Sequence, residues 1–225
     1  TTANGSIQVY NFSTFTGGGI TATSVVANGD DSQVILNNIL SLVSNIEVNN
    51  VVAPSVSIIS SGAIEENTPD ADPDIVTNSL VMVADSGIGN VNPIETEVSY
   101  LNAYNSTSGD IYIDNTGDLT INGWTFAGYG VENDSGAVNI SSTGSIDIPG
   151  TNGDGIYAVG NITLTAGEDI TGGFSEGLSG EGITLAESNS GKVTLDAGND
   201  IYLGQNYYSD INAAGDITLT AGQDI

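Results

Sequence analysis

The sequence has no cysteine, no histidine and a single basic residue, Lys192, among 225 residues. Without cysteine, neither disulfides nor thiolate metal sites can hold the fold together. Aromatic residues make up only 6% of the chain, yet 39% of the residues are hydrophobic, so a core can form without large rings. The apolar residues are mainly valine, isoleucine, leucine and alanine, and this composition favours β structure.

The missing basic residues leave a strong charge imbalance. Against one lysine stand 28 acidic residues, which gives a formal net charge of −27. Such a field repels nucleic acid and anionic lipid, so we predict neither as a partner. No run of about 18 apolar residues occurs, and we predict no insertion into a membrane. Two interpretations of the carboxylates stay open, namely solubility of a long repetitive surface and binding of divalent cations such as Ca²⁺.

Internal repetition is the clearest positive signal. A glycine begins each repeat, and two apolar residues separated by one polar residue follow it. The first glycines are 24 to 31 residues apart, a period typical of solenoids. Five segments show the pattern: GDIYIDNTGDLTI at 109–121, GAVNISSTGSIDI at 136–148, GNITLTAGEDI at 160–170, GKVTLDAGNDIYL at 191–203 and GDITLTAGQDI at 215–225.

Each repeat predicts one coil of three strands. Alternation, as in Ile111 and Ile113, places the apolar side chains on one face of a strand. The glycines in the gaps allow a positive φ and hence a sharp corner. The longest spacing indicates an insertion around GLSGEGITLAESNS. The remaining face of each coil and its loops are predicted from four segments: WTFAGYGVEN from 124, GIYAV from 155, GFSEGL from 173 and YYSDINA from 207.

The chain as a whole, 1–225, is predicted to be one all-β solenoid of about nine coils. Residues 79–225 carry the regular repeats, and 1–78 fit the same pattern less regularly, with strands expected at SIQVY, GITATSVV, SQVIL, SNIEV and SVSIISSGAI. A competing interpretation makes Gln33 to Val43 a short helix, because Val34, Leu36 and Ile39 also match a helical stripe.

The repeats GDITLTAGQDI and GNITLTAGEDI, together with residues 84–121, resemble those of filamentous-haemagglutinin-like giant adhesins, which bacteria export by two-partner secretion. The resemblance covers 79–225 well and 1–78 weakly. It implies a right-handed, three-faced parallel β-helix located outside the cell or on the bacterial surface. It also implies a role in adhesion, biofilm or fibre formation.

The predicted function is therefore a structural or adhesive segment that provides a rigid acidic stalk. The sequence stops within a repeat at Ile225, so we expect a fragment of a longer chain whose partners are further coils. The first alternative is a subunit that assembles head to tail into filaments. The second alternative is a β-helix that binds or degrades polysaccharide, with cell-surface glycans as partners.

Catalysis is not predicted. Lyases of β-helical shape use arginine or lysine as base, and hydrolases need two placed carboxylates. Acidic pairs do occur, and Trp124 with Tyr129 could line a groove, but scattered acids produce such pairs by chance. The pairs are Glu65 with Glu66, Asp30 with Asp31, and Asp196 with Asp200.

Two sets of residues are candidates for binding. Asp70, Asp72 and Asp74 alternate in a proline-containing loop and are the best candidates for ligating Ca²⁺, but the absence of an EF-hand glycine and distal glutamate favours a solvated loop. We otherwise expect no cofactor. Tyr202, Tyr207 and Tyr208 form the densest aromatic group, with stacking on carbohydrate or an ordinary tyrosine ladder as the two interpretations. Sequons at Asn11, Asn105, Asn139 and Asn161 are expected by chance in such a composition.

Overall fold

The computed structural model describes residues 2–3, 5–11, 18–39, 43–121, 123, 129–149, 155–172, 183–204 and 209–225. These residues form strands and no helix. In chain order the strands are β1 Thr2–Ala3, β2 Ile7–Tyr10, β3 Ile20–Ala22, β4 Val25–Ala27, β5 Gln33–Asn37, β6 Ile46–Val48, β7 Val51–Val52, β8 Ser55–Ile59, β9 Ile64–Glu66, β10 Ile75–Ala84, β11 Ile94–Asn105, β12 Ile111–Asn115, β13 Leu119–Ile121, β14 Val131–Asn133, β15 Val138–Ser142, β16 Ile146–Ile148, β17 Ile156–Ala158, β18 Ile162–Ala166, β19 Ile170–Gly172, β20 Ile183–Ser188, β21 Val193–Ala197, β22 Ile201–Leu203, β23 Ser209–Ala213 and β24 Ile217–Ala221.

The strands stack in parallel into three ladders, and each ladder forms one face of a solenoid. The first face consists of β2, β5, β8, the end of β10, the end of β11, β14, β17, β20 and β23. The second face consists of β3, β6, β9, a bridge at Ile88, β12, β15, β18, β21 and β24. The third face consists of β1, β4, β7, the beginning of β10, the first two thirds of β11, β13, β16, β19 and β22. The pairing shifts at β11, because its beginning also pairs with the end of β12 and β13 pairs with Tyr100 and Leu101.

This arrangement confirms the prediction of an all-β parallel solenoid. The ladders pass residue 78 without a break, because β10 spans it. Segments of several coils lie outside the described residues, so the number of about nine coils stays a prediction. The right-handed sense, which the resemblance implies, also stays a prediction.

The core is a stack of aliphatic side chains. Ile113, Ile140, Leu164 and Leu195 occupy the same position in successive coils and are all buried. Coils about 4.8 Å apart let equivalent side chains contact each other directly, and branched aliphatic groups fit that spacing. Each fully buried side chain of this size contributes roughly 1.5 to 3 kcal/mol.

Glycine at the corners serves a purpose that differs from our expectation. A positive φ occurs at Gly109 and Gly117, in the first of the five repeats. The equivalent glycines of later coils are not among the positive-φ residues, so the prediction was wrong for them. At Gly136 an added Cβ would lie less than 3.0 Å from the carbonyl oxygen of Gly109. The coils stack too closely at this corner for any side chain.

Aspartate side chains form a second feature of the corners. The Asp118 Oδ1 accepts the backbone N–H of Ser145 in the next coil, at 3.0 Å. Farther along the same corner, Asp169 Oδ1 accepts from Asp200 N at 3.1 Å, and Asp200 Oδ1 accepts from Asp224 N at 2.8 Å. These carboxylates therefore connect successive coils, a role that neither solubility nor cation binding anticipates.

Buried asparagines complete the corner that follows the first face. The Asn105 Nδ2 donates to the carbonyl oxygens of Ser108 and Gly109 and to Asn133 Oδ1. Both asparagine side chains are fully buried. The sequon at Asn105 is therefore inaccessible in the folded chain, whereas Asn139 and Asn161 are exposed.

One local prediction is confirmed and another was wrong: the strand expected at SQVIL is present, whereas the described residues of the expected insertion form a strand of the first face. Residues 33–37 form strand β5, whose alternating burial excludes the competing helix, and the helical stripe leaves Ile39 59% and Val43 69% exposed. The coil that begins at Gly160 has the longest spacing to the next repeat. Its first-face strand is β20, which lies within the segment that we predicted to be an insertion. The segment predicted to supply that strand, 173–178, lies outside the described residues.

Candidate functional site

The predicted aspartate loop does not act as a single group. Asp70 and Asp72 are exposed, and the Asp70 Oδ1 accepts the backbone N–H of Asp72 at 2.8 Å. Asp74 lies at the point where the loop returns to the solenoid, and it is only 2% exposed. The third aspartate is thus separated from the first two by its burial.

Asp74 instead belongs to an acidic corner, by which we mean Glu66, Asp74 and Glu95. One carboxylate oxygen of each lies within 4.8 Å of those of the other two. Glu66 is the last residue of β9, Asp74 directly precedes β10, and Glu95 is the second residue of β11. The three therefore come from two successive turns of the chain around the same corner between the second and third faces.

The electrostatics of the acidic corner are unfavourable for bare carboxylates. Burial, together with the charges of Glu66 and Glu95, raises the pKa of Asp74 to about 8. Burial is also the first cause of the raised pKa of Glu95, with the charge of Glu66 second. The hydrogen bonds partly compensate: Glu66 Oε1 accepts from Asp70 N at 2.8 Å, and Asp74 Oδ2 accepts from Glu95 N at 3.3 Å.

A second arrangement lies on the first face. Tyr104, Glu132, Tyr157 and Glu187 are paired in register on successive coils as one outward-facing row. The ring of Tyr129 stacks on that of Tyr157, with centroids 5.4 Å apart and planes inclined by 25°. We call these five residues the tyrosine–carboxylate patch.

Hydrogen bonds hold the rings of the patch in place. The Tyr129 hydroxyl donates to Glu187 Oε2 at 3.3 Å, and the Tyr104 hydroxyl donates to Asp134 Oδ2 at 2.9 Å. Because burial and this bond to a carboxylate favour the neutral phenol, the pKa of Tyr104 is raised to about 12. The aromatic faces are therefore fixed rather than freely rotating.

Glu132 is the unusual carboxyl of the patch. It is 8% exposed, and its Oε2 has no hydrogen-bond partner. Burial and the neighbouring Asp134 raise the pKa of Glu132 to about 7. Near neutral pH this side chain can therefore exist as the acid or as the carboxylate.

The predicted tyrosine group is only partly described. Tyr202 is 49% exposed, and its hydroxyl donates to Asp200 Oδ2 at 2.9 Å. Tyr207 and Tyr208 lie outside the described residues, as does Trp124. The stacking partner of Tyr129 is Tyr157, which the sequence did not single out.

The acidic pairs do not form paired sites. Glu65 points to the opposite side of β9 from Glu66 and its Oε2 accepts from Val91 N at 3.2 Å, while burial raises the pKa of Glu65. Asp30 and Asp31 are exposed, and Asp30 lines an open groove of about 700 Å³ at the corner between the third and first faces. The groove is also bordered by Glu97 and Asp118.

The third acidic pair, Asp196 and Asp200, is separated for a structural reason. Asp196 is exposed on β21, while Asp200 accepts the backbone N–H of Asp224 at the corner. One of the two carboxylates is thus committed to a contact between coils.

No protein-family model matches the chain, no curated protein matches its sequence, and no solved structure matches its coordinates. Among the described residues there is no helix long and apolar enough to cross a membrane.

Proposed function

We propose that this chain is a structural or adhesive segment of a bacterial secreted surface protein or extracellular fibre, in which it acts as a rigid acidic stalk. The observation that supports this role is the unbroken stacking of parallel strands from β2 to β23 on one face. In such an array each coil contacts only its neighbours, so additional coils extend the axis and leave the cross-section unchanged.

The charge of the surface fits a stalk. The only lysine pairs with Asp216, at 2.9 Å, and both side chains are exposed. The other carboxylates give neighbouring molecules a strong mutual repulsion, which opposes sideways pairing of exposed strands. The resemblance to filamentous-haemagglutinin-like adhesins suggests the same location, outside the cell or on its surface.

Location can be tested with antibodies raised against the purified chain. We expect them to label intact cells of the bacterium that encodes it, without permeabilisation. Labelling only after the cells are opened would contradict the proposal.

Shape can be tested by electron microscopy of the purified chain in the presence of a chelator. A stalk segment should appear as short separate rods, with roughly 4.8 Å of length for each coil. Near-spherical or flexible particles would contradict a rigid stalk.

Head-to-tail assembly is the alternative that the same images examine. The parallel strand pairing that joins successive coils within the chain would also join coils of two neighbouring chains. Long filaments with an axial repeat of about 4.8 Å would support assembly between chains, and rods that stay short at high protein concentration would exclude it.

Glycan binding is a second candidate function, favoured by the stacked pair of Tyr129 and Tyr157. Aromatic faces bind the apolar side of sugar rings, and the carboxylate of Glu187 lies on the same row to accept hydrogen bonds. Catalysis does not belong to this proposal.

A glycan array probed with the wild-type chain and two single-residue variants tests this second function. We expect Tyr157→Ala to lose at least tenfold in apparent affinity for any glycan that the wild-type chain binds. Tyr112→Ala serves as the control, because Tyr112 lies on the second face and away from the patch. Equal binding by all three proteins would exclude the patch, and release of reducing ends from a bound glycan would contradict the absence of catalysis.

A further inference from the structure

The acidic corner occupies a special position in the solenoid. At this corner the chain leaves the body twice in succession, through residues 67–73 and again through residues 89–93. Glu66 stands immediately before the first excursion and Asp74 immediately after it, while Glu95 follows the second. Glu66 is also in register with Val48, a fully buried residue of the preceding coil, so a carboxylate occupies a position that is apolar one coil earlier.

Unpartnered buried oxygens concentrate at this corner. The carboxylate of Glu66 is buried, and its Oε2 has no accessible surface and no hydrogen-bond partner. The same holds for the Oε2 of Glu95. Among the described residues two other side-chain atoms share this property, and one of them, Asn49 Oδ1, lies at the same corner one coil earlier. A buried acceptor without a partner costs on the order of 1 to 3 kcal/mol.

The chain itself offers no charge to balance these carboxylates. Its only lysine lies far along the sequence and pairs with Asp216, and it has no arginine or histidine. A buried cluster of carboxylates must then take up protons or an external cation.

We propose that Glu66, Asp74 and Glu95 bind one Ca²⁺ ion, which ties two successive coils together at this corner. The ion would accept the unpartnered oxygens of Glu66 and Glu95 as ligands and complete its coordination with water or backbone oxygens. Its effect is to lock both excursions to the body of the solenoid.

The chemistry of the ligands favours calcium over magnesium. Calcium binds six to eight oxygens at about 2.3 to 2.6 Å in flexible geometry, which suits three carboxylates held by an irregular corner. Magnesium demands near-ideal octahedral geometry at about 2.0 to 2.1 Å and keeps several of its waters. We therefore expect calcium to bind more tightly than magnesium.

Calorimetric titration of CaCl₂ into chelator-treated protein tests the site. The titration is done at pH 8 in about 0.15 M KCl, because the salt screens weak binding of calcium to the other carboxylates. We expect one saturable site for each chain and weaker binding of MgCl₂. Glu66→Gln and Asp74→Asn should each weaken the binding of calcium at least tenfold. Asp72→Asn is the matched control, because it removes a charge from the same loop at an exposed position.

Thermal unfolding separates a lost ligand from a damaged fold. Calcium should raise the midpoint for the wild type and for Asp72→Asn, and it should not do so for Glu66→Gln or Asp74→Asn. Without calcium, the two variants should be at least as stable as the wild type because they relieve the repulsion between carboxylates. If Asp74→Asn fails to fold, Glu95→Gln takes its place. An equal calcium response in wild type and Glu66→Gln, or no response in the wild type, would overturn the proposal.

Discussion

At the scale of single residues, the repeated glycine and aspartate of the sequence serve the contact between coils. Gly136 has no room for a side chain, because the carbonyl of Gly109 lies directly beneath it. Aspartate at a neighbouring corner uses one carboxylate oxygen to accept a backbone N–H of the next coil. Both residues recur because the same corner recurs in every coil.

The first prediction concerns Gly136. We expect Gly136→Ala to destabilise the fold by about 2 to 4 kcal/mol, because the new methyl group would force two coils apart. Gly117→Ala is the comparison: no atom lies within 4 Å of its Cβ position, but its φ of 91° strains an alanine. That strain costs about 1 to 2 kcal/mol. Urea unfolding followed by circular dichroism would measure both, and a smaller loss at Gly136 would contradict the close approach.

The second prediction concerns Asp169. Asp169→Ala removes the acceptor of the Asp200 N–H and should reduce the free energy of unfolding by about 1 kcal/mol. Asp169→Asn keeps an oxygen in the same place and lowers the net negative charge, so it should be neutral or slightly stabilising. If both variants lose the same stability in urea unfolding, the carboxylate does not act as a backbone acceptor.

At the scale of elements, the turn from one face to the next depends on buried asparagine side chains. The Asn133 Oδ1 accepts the backbone N–H groups of Ser135 and Gly136, and its Nδ2 donates to the carbonyl of Ala137 at 2.9 Å. Asn105 has the equivalent role in the preceding coil. An amide side chain suits this place because it donates and accepts at once.

The third prediction follows from this corner. Asn133→Ala should destabilise the fold by roughly 3 kcal/mol, because it leaves buried backbone groups unpaired. Asn139→Ala on the adjoining strand is the control, since Asn139 is exposed and should change stability by less than about 0.5 kcal/mol. Thermal and urea unfolding of the two variants measure the difference. Similar losses for both would show that the corner does not depend on the amide.

At the scale of the whole molecule, a chain of net charge −27 folds into a narrow body with several carboxyls of raised pKa. Besides Glu132, the pKa is raised for Glu65, Asp74 and Glu95, and burial is the largest cause in each case. These groups bind protons more tightly in the folded state than in the unfolded chain. Mild acid should therefore stabilise the fold, in contrast to acid denaturation driven by carboxylates in ion pairs.

The fourth prediction isolates Glu132. Its folded-state pKa is about 7, whereas an unfolded glutamate titrates near about 4.3. Its stabilising contribution is complete below the unfolded value and is lost as the pH rises through about 7. In chelator, the thermal midpoint of the wild type should therefore fall between about pH 4.5 and 8, and Glu132→Gln should show a smaller fall.

Asp134→Asn is the control for the cause of that shift. Without the neighbouring charge the pKa of Glu132 should move toward its ordinary value, so the fall in midpoint should be smaller and should end at lower pH. Parallel pH profiles for the wild type and Glu132→Gln would contradict the burial of an ionisable carboxyl in the patch.

The sequence alone determined the strands and their stacking. Alternating aliphatic residues at a repeat of 24 to 31 residues can bury their apolar faces only by lying over equivalent residues of the next coil, and Ile140 over Ile113 is one such pair. The same pattern extended to β5, where alternation and not the helical stripe was correct. Local periodicity carries this information because the core of a solenoid is built from neighbours one period apart.

Only the tertiary structure decided which carboxyls and rings meet. Glu66, Asp74 and Glu95 follow no fixed spacing, because two loop excursions of irregular sequence lie between them, and Asp74 was grouped by sequence with the exposed Asp70 and Asp72. Tyr129 and Tyr157 likewise meet across two coils. Such contacts depend on how far the length and path of the chain at each corner differ from those of the regular repeat. The burial that gives Asp74 and Glu132 their raised pKa values arises only when successive coils are stacked.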